Sequence, residues 1–223
     1  MVRLFASSAV VWWGFEAFNL RVDNWQYLQA APVGTAQFIL QATLDFSTVL
    51  PAIFVTTLVI ETFFPVKRAN QRGRIGNNAL LGWIGVGLVM LTLPLIWPRI
   101  FYPLIWGCLF FIFDAINARA GNPSLLVSAR QRLWRPLVLL GIAGLICGFF
   151  WEMWNSLSMP KWVYSVPGVP QQRLFEMPFL GYIGYVPFAF ECFAIYAFVL
   201  MVVRDPRGEE LPLFGSYPTN LHR

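Results

Sequence analysis

Two short segments of this chain place the same chemical groups at the same spacing. Phe15-Glu16-Ala17-Phe18-Asn19 reads aromatic, glutamate, any residue, aromatic, asparagine, and Trp151-Glu152-Met153-Trp154-Asn155 repeats it. A Trp-x-Tyr triplet follows each: Trp25 and Tyr27 after the first, Trp162 and Tyr164 after the second. A proline comes next, Pro51 and then Pro187. The offset is 136 for the glutamates (152 − 16), 137 for the triplets and 136 again for the prolines. Residues three apart share one face of a helix, so each glutamate stands beside its asparagine. A carboxyl in an apolar run can give or take a proton, and aromatic faces around it can shield a cation. The plainer alternative is that each carboxyl only bonds its own asparagine, or Trp and Tyr donors of the following loop.

Glu191 is a third acid, deep in an apolar run and four residues after Pro187. A proline there frees a backbone carbonyl and bends a helix. Glu191 is a candidate proton donor, or a buried acid bonded to a carbonyl or a tyrosine. Its counterpart in the first copy is Val55 (191 − 136), so only one half carries this acid. Glu176, in Leu174-Phe175-Glu176-Met177-Pro178, reads equally as a further carboxyl at the same site or as a solvated loop charge. Asp45, Asp114 and Asn117 read as local caps. Glu61 reads as a side chain reaching for the inner surface.

The elements that must position these groups follow from composition. The 223 residues are 57% hydrophobic and 12% charged, against about 25% charged in soluble domains. That deficit points to lipid as the solvent. A span needs about 20 residues, and six apolar stretches qualify or nearly so: 4–20, 44–64, 79–97, 101–116, 137–154 and 180–203. The expected fold is an all-α, polytopic transmembrane helical bundle of about six helices in a single membrane domain, 1–223. It contains a two-helix unit repeated in parallel, over 11–64 and 147–203. The outer segments 21–43 and 155–179 hold Trp, Tyr, Phe and Pro and read as caps partly embedded in the outer leaflet. Residues 204–223 read as a polar cytoplasmic tail without regular structure.

With the N-terminus inside, 12 of the 16 Lys and Arg residues fall in inner segments and 4 in outer ones. This bias over short loops places both ends in the cytoplasm, consistent with a bacterial inner membrane. The same distribution argues against nucleic acid as a partner, because the net charge of +5 sits in loops between spans. The single histidine, His222, lies in the tail, so no buried histidine is available for haem or zinc. Cys108, Cys147 and Cys192 lie in apolar runs and read as packing residues. No nucleotide loop or metal motif occurs, so no cofactor and no metal site is implied. Gly144 and Gly148, four apart, have the close-packing spacing of membrane helices.

Trp162-Val163-Tyr164, then Gly184-Tyr185-Val186-Pro187 and Glu191, resembles in order and spacing the membrane-integral, duplicated lycopene cyclases of bacteria, archaea and fungi. The likeness covers roughly 150–191, and 13–55 more weakly. Where those enzymes carry paired glutamates just after the proline, this chain has one acid placed later. The resemblance implies protonation of a polyene double bond, ring closure and proton loss. Glu191 would be the acid, Glu152 the base and Glu16 the matching acid of the first copy. Trp151, Trp154, Asn155, Trp162, Tyr164, Asn19, Trp25, Tyr27 and Glu176 would surround the ligand, with Pro51, Pro187, Gly144 and Gly148 structural.

Three functions stay open on the sequence: an enzyme or binder acting on a carotenoid or other isoprenoid lipid, a non-catalytic subunit associating with other membrane subunits, and a small transporter.

Overall fold

A computed structural model describes residues 2–28, 34–64, 71, 73–170 and 172–203. The tail expected at 204–223 lies outside the described residues, as do Lys67, Arg68 and Arg72 of the inner-segment count. The chain is mostly helical. In order it forms α1 (Val2–Val22), β1 (Trp25–Leu28), α2 (Thr35–Phe46), α3 (Val49–Phe63), α4 (Asn77–Ile96), α5 (Pro98–Phe101), a 3₁₀ turn (Tyr102–Trp106) and α6 (Cys108–Ala120). Then come α7 (Leu125–Arg130), α8 (Arg135–Leu157), β2 (Lys161–Tyr164), β3 (Arg173–Leu174), β4 (Met177–Pro178), a second 3₁₀ turn (Phe179–Gly184) and α9 (Tyr185–Val202).

Five helical segments of the described residues are long and apolar enough to cross a membrane: Thr35–Phe63, Asn77–Ile96, Pro98–Ala120, Arg135–Leu157 and Phe179–Val202. The expectation of six included the first stretch. That stretch is helical throughout, as the 21-residue α1, but Arg3, Glu16 and Arg21 reduce its apolarity and it is not among the five. The second expected span also starts earlier than its apolar run. Residues 35–43, expected in an outer cap, form most of α2.

The break between α2 and α3 is held by a buried serine of α1. Ser8 donates its hydroxyl to the Phe46 carbonyl at 2.6 Å and accepts the Leu50 amide at 3.0 Å. Backbone groups freed at a break are costly in lipid unless re-bonded, and one hydroxyl satisfies both sides here. Pro51 sits in the first turn of α3 and Pro187 in the first turn of α9. A first-turn proline lacks an N–H that would have had no partner in its own helix, so it starts a helix without kinking it.

α9 is the centre of the bundle. It packs on α6 and α8 and also meets α1 and α3. Every residue from Glu191 to Ala197 is buried, as expected of a helix surrounded on all sides. Gly144 and Gly148 of α8 allow its close approach. A Cβ at Gly144 would collide with the Tyr185 carbonyl, and one at Gly148 with the Tyr185 ring. Without a hydrophobic drive between helices in lipid, such close contact supplies the packing energy. α4 is peripheral: 11% of its span is buried, against 39–50% for the other four.

Candidate functional site

Glu16 and Glu152 each sit at the centre of a fan of aromatic donors. Glu16 Oε1 accepts from Trp12 Nε1 at 3.0 Å, Trp25 Nε1 at 3.2 Å and the Tyr27 hydroxyl at 2.6 Å. Glu152 Oε1 accepts from the Tyr164 hydroxyl at 2.6 Å, the Tyr185 hydroxyl at 2.6 Å and Trp162 Nε1 at 3.4 Å. Trp162 Nε1 also donates to the Tyr164 oxygen at 2.7 Å.

The asparagines hold the strands that carry these donors. Asn19 donates to the Trp25 carbonyl at 2.8 Å and accepts the Trp25 amide at 3.2 Å and the Asn24 amide at 2.8 Å. Asn155 donates to the Trp162 carbonyl and accepts the Trp162 amide, both at 2.8 Å. Of the two partners expected for each glutamate, its own asparagine or the Trp and Tyr donors of the following loop, the structure shows the second. The carboxylate takes side-chain donors, while the amide clamps the backbone of the strand that delivers them. An amide has both a donor and an acceptor and fits a strand backbone; a carboxylate only accepts.

β1 and β2 pair antiparallel, with Trp25 opposite Tyr164 and Tyr27 opposite Trp162. Moving each residue of β1 by 137 exchanges the two strands and reproduces the same register. Both triplets therefore lie side by side, joining the two fans. Burial first, and then the neighbouring Glu16 charge, push the Tyr27 phenol well above its usual range. Tyr164 is pushed up by burial and then by Tyr185 and Glu152. Both remain donors at neutral pH.

The third donor differs between the fans. At Glu16 it is Trp12, one turn earlier on the same helix. The position 136 further on is Gly148, and the space left there admits Tyr185 from α9.

A cavity of about 420 Å³ opens between the two fans. Trp12 lines one side, Tyr164 and Tyr185 another, and Tyr102, Trp106 and Phe188 lie in its wall with apolar residues of the segment 166–187. Phe188 packs edge-on against both Trp12, at 5.7 Å between centroids, and Trp106, at 5.8 Å. Among the described residues, no Asp, Glu, Lys, Arg or His lines the cavity. The carboxylates of Glu16 and Glu152 stand one hydrogen bond behind it.

Glu191 lies elsewhere. It is fully buried, and its Oε1 accepts the Leu109 amide at 2.6 Å with the Cys108 thiol at 3.9 Å. It caps the start of α6, where unpaired amides and the helix dipole favour an acceptor. The second oxygens of Glu152 and Glu191 are buried with no hydrogen-bond partner among the described residues.

Of the other expected site residues, Trp151 packs on Tyr185 and Phe188. Trp154 faces outward, 58% exposed. Glu176 forms an ion pair with Lys161 at 2.5 Å. Pro187 lines the cavity and Pro51 does not. Asp114 caps α7, accepting from Ser124, Leu125 and Leu126. Asn117 instead donates across to the Ala194 carbonyl. Glu61 pairs with Arg135 at 2.9 Å.

Sequence reading missed Trp12, Tyr185, Trp106 and Phe188. For Trp12 a signal was present, since it precedes Glu16 by one helical turn. Trp106 and Phe188 carried none beyond being aromatic. No group of three His, Cys, Asp or Glu able to hold a metal occurs among the described residues. No protein-family model, curated protein or solved structure matches this chain.

Proposed function

We propose that the chain is an integral membrane protein that binds a carotenoid or other isoprenoid lipid and acts on it by carboxylate acid–base chemistry, as a cofactor-independent, cyclase-like isomerase. One observation carries this reading: the apolar cavity of about 420 Å³ has in its wall Tyr164 and Tyr185, both bonded to the buried Glu152. Small-molecule sites are roughly 300–1,000 Å³, mostly apolar, with few polar groups.

An isomerase must add a proton at one carbon and remove one from another. In this reading, protonated Glu152 passes its proton through a phenol to a double bond. After the carbocation rearranges, a C–H bond breaks and the proton returns by the same chain. Nothing is consumed. Glu191 acts by fixing the start of α6, directly after Trp106 of the wall, rather than by touching the ligand.

Expression in cells that accumulate lycopene tests this, with pigments analysed from both the cells and the purified protein. A new cyclic product that disappears in Glu152→Gln supports it. If no product forms and no polyene co-purifies, the proposal fails.

The same reading takes the chain as six spans with both ends in the cytoplasm of a bacterium, counting α1, and takes 11–64 and 147–203 as parallel copies of one unit. The matched bonds of Glu16/Asn19 and Glu152/Asn155 and the exchange symmetry of β1 and β2 support the duplication. Labelling of single cysteines at positions 23, 121 and 168 tests orientation: 23 and 168 should react from the outside and 121 from the inside.

A second reading, a subunit of a larger membrane complex, is favoured by α4. Its exposed surface includes Leu81, Val86, Leu88 and Val89, and Gly82 and Gly85 have open space where a Cβ would be. Gentle native purification that yields the chain alone would remove this reading.

A further inference from the structure

We propose that the cavity prefers a ligand bearing an organic cation on an apolar chain, of which a quaternary ammonium group is the simplest form. The inference deepens the proposed function and rests on the same cavity being the ligand site.

The wall holds six aromatic side chains: Trp12, Tyr102, Trp106, Tyr164, Tyr185 and Phe188. Aromatic rings present negative faces, and clusters of them hold quaternary ammonium groups. Three of the six are tied to carboxylates: Trp12 to Glu16 at 3.0 Å, and Tyr164 and Tyr185 to Glu152 at 2.6 Å each. A ring whose N–H or O–H donates to a carboxylate becomes richer in electrons. Once Glu152 has given up its proton, its charge also adds a field that acts over a short distance in a poorly polarisable medium.

Among the described residues, an anion finds no Lys, Arg or His in the wall. Lys161 of β2 is held by Glu176. A neutral hydrocarbon group fits the apolar surface but gains nothing from the two acids. A diffuse cation such as trimethylammonium gains from both and loses little hydration, having no N–H groups. The remaining wall, from Val166 and Val169 to Leu180 and Ile183, suits an attached chain.

The test uses the full chain in an uncharged detergent. It is titrated with hexyltrimethylammonium and, separately, with the uncharged isostere in which carbon replaces nitrogen. The readout is fluorescence of the wall tryptophans. We expect the cation to bind about tenfold tighter or more, as desolvated cation–aromatic contacts allow. Glu152→Gln, which keeps an acceptor oxygen for Tyr164 and Tyr185, should shrink the ratio of the two affinities. Trp106→Leu removes a wall ring and should weaken both compounds, the cation more. If a variant does not fold, the wild-type comparison decides alone. Equal affinity for the two compounds overturns the cation preference and leaves the lipid reading standing. If neither compound nor an isoprenoid hydrocarbon perturbs the tryptophans, both fail.

Discussion

Trp25 and Tyr164 lie directly opposite each other in the β1–β2 ladder, and each donates to a different acid, Glu16 and Glu152. The two acid sites are therefore mechanically joined, though their glutamates are 136 residues apart (152 − 16).

That joint predicts energetic coupling. Trp25→Phe and Tyr164→Phe each remove one donor and keep a ring. Opposed residues on paired strands interact by roughly 0.2–1 kcal/mol, so the double substitution should depart from the sum of the singles by a comparable amount. Thermal unfolding of the four proteins in detergent measures it. Strict additivity would show that the fans are independent.

Gly148→Ala should be more harmful than its size suggests. The added methyl collides with the Tyr185 ring, so α9 must shift or Tyr185 must leave Glu152. Overpacking of this kind costs about 1–3 kcal/mol. Gly82→Ala is the control, with nothing near its Cβ position, and should be neutral or slightly stabilising. Equal melting temperatures for the two variants would contradict the packing described here.

Asn155→Ala removes both bonds to the Trp162 backbone. A buried polar group left unpaired costs about 1–3 kcal/mol, and Trp162 and Tyr164 would lose their anchor. The expected result is a lower melting temperature together with loss of any ligand-dependent tryptophan signal. Retention of that signal would show that Asn155 does not position the strand.

Glu191→Gln should be tolerated, because the amide oxygen still accepts the Leu109 amide. Glu191→Leu strips that cap and should destabilise by about 1–3 kcal/mol. If Gln abolishes catalysis without lowering the melting temperature, Glu191 is a proton donor and not a positioning residue.

The two loop phenols predict alkaline behaviour. Tyr27 and Tyr164 are both raised in the folded protein, whereas an unfolded tyrosine titrates near about 10. Between that value and the folded one the unfolded chain binds fewer protons, so stability falls as pH rises. The contribution is fully present below about pH 10 and lost above it. Tyr27→Phe with Tyr164→Phe should flatten this decline in denaturation curves. An unchanged slope would mean that other groups cause it.

Solvent class and local chemistry were legible from the chain alone. Apolar runs reveal a lipid-facing bundle because charge is expensive there. The Glu–Asn–Trp–Tyr sets were legible because their members lie within about one helix end and one short strand of each other. Asn19 and Trp25 are six apart, and Asn155 and Trp162 seven apart. The Gly144–Gly148 pair likewise announced a close helix contact.

Tertiary structure alone decided which acid meets which partner. Tyr185 reaches Glu152 across 33 residues, and Glu191 turns to a helix start 82 residues away. Pro187 falls in the first turn of a helix that follows a 3₁₀ turn. The cavity draws its wall from α1, the 102–106 turn, β2 and the start of α9. Periodicity states which face of a helix is apolar, but the partner of that face depends on how several helices cross at once. Those crossings are set by side-chain shape and by single small residues, information spread over contacts distant in the chain.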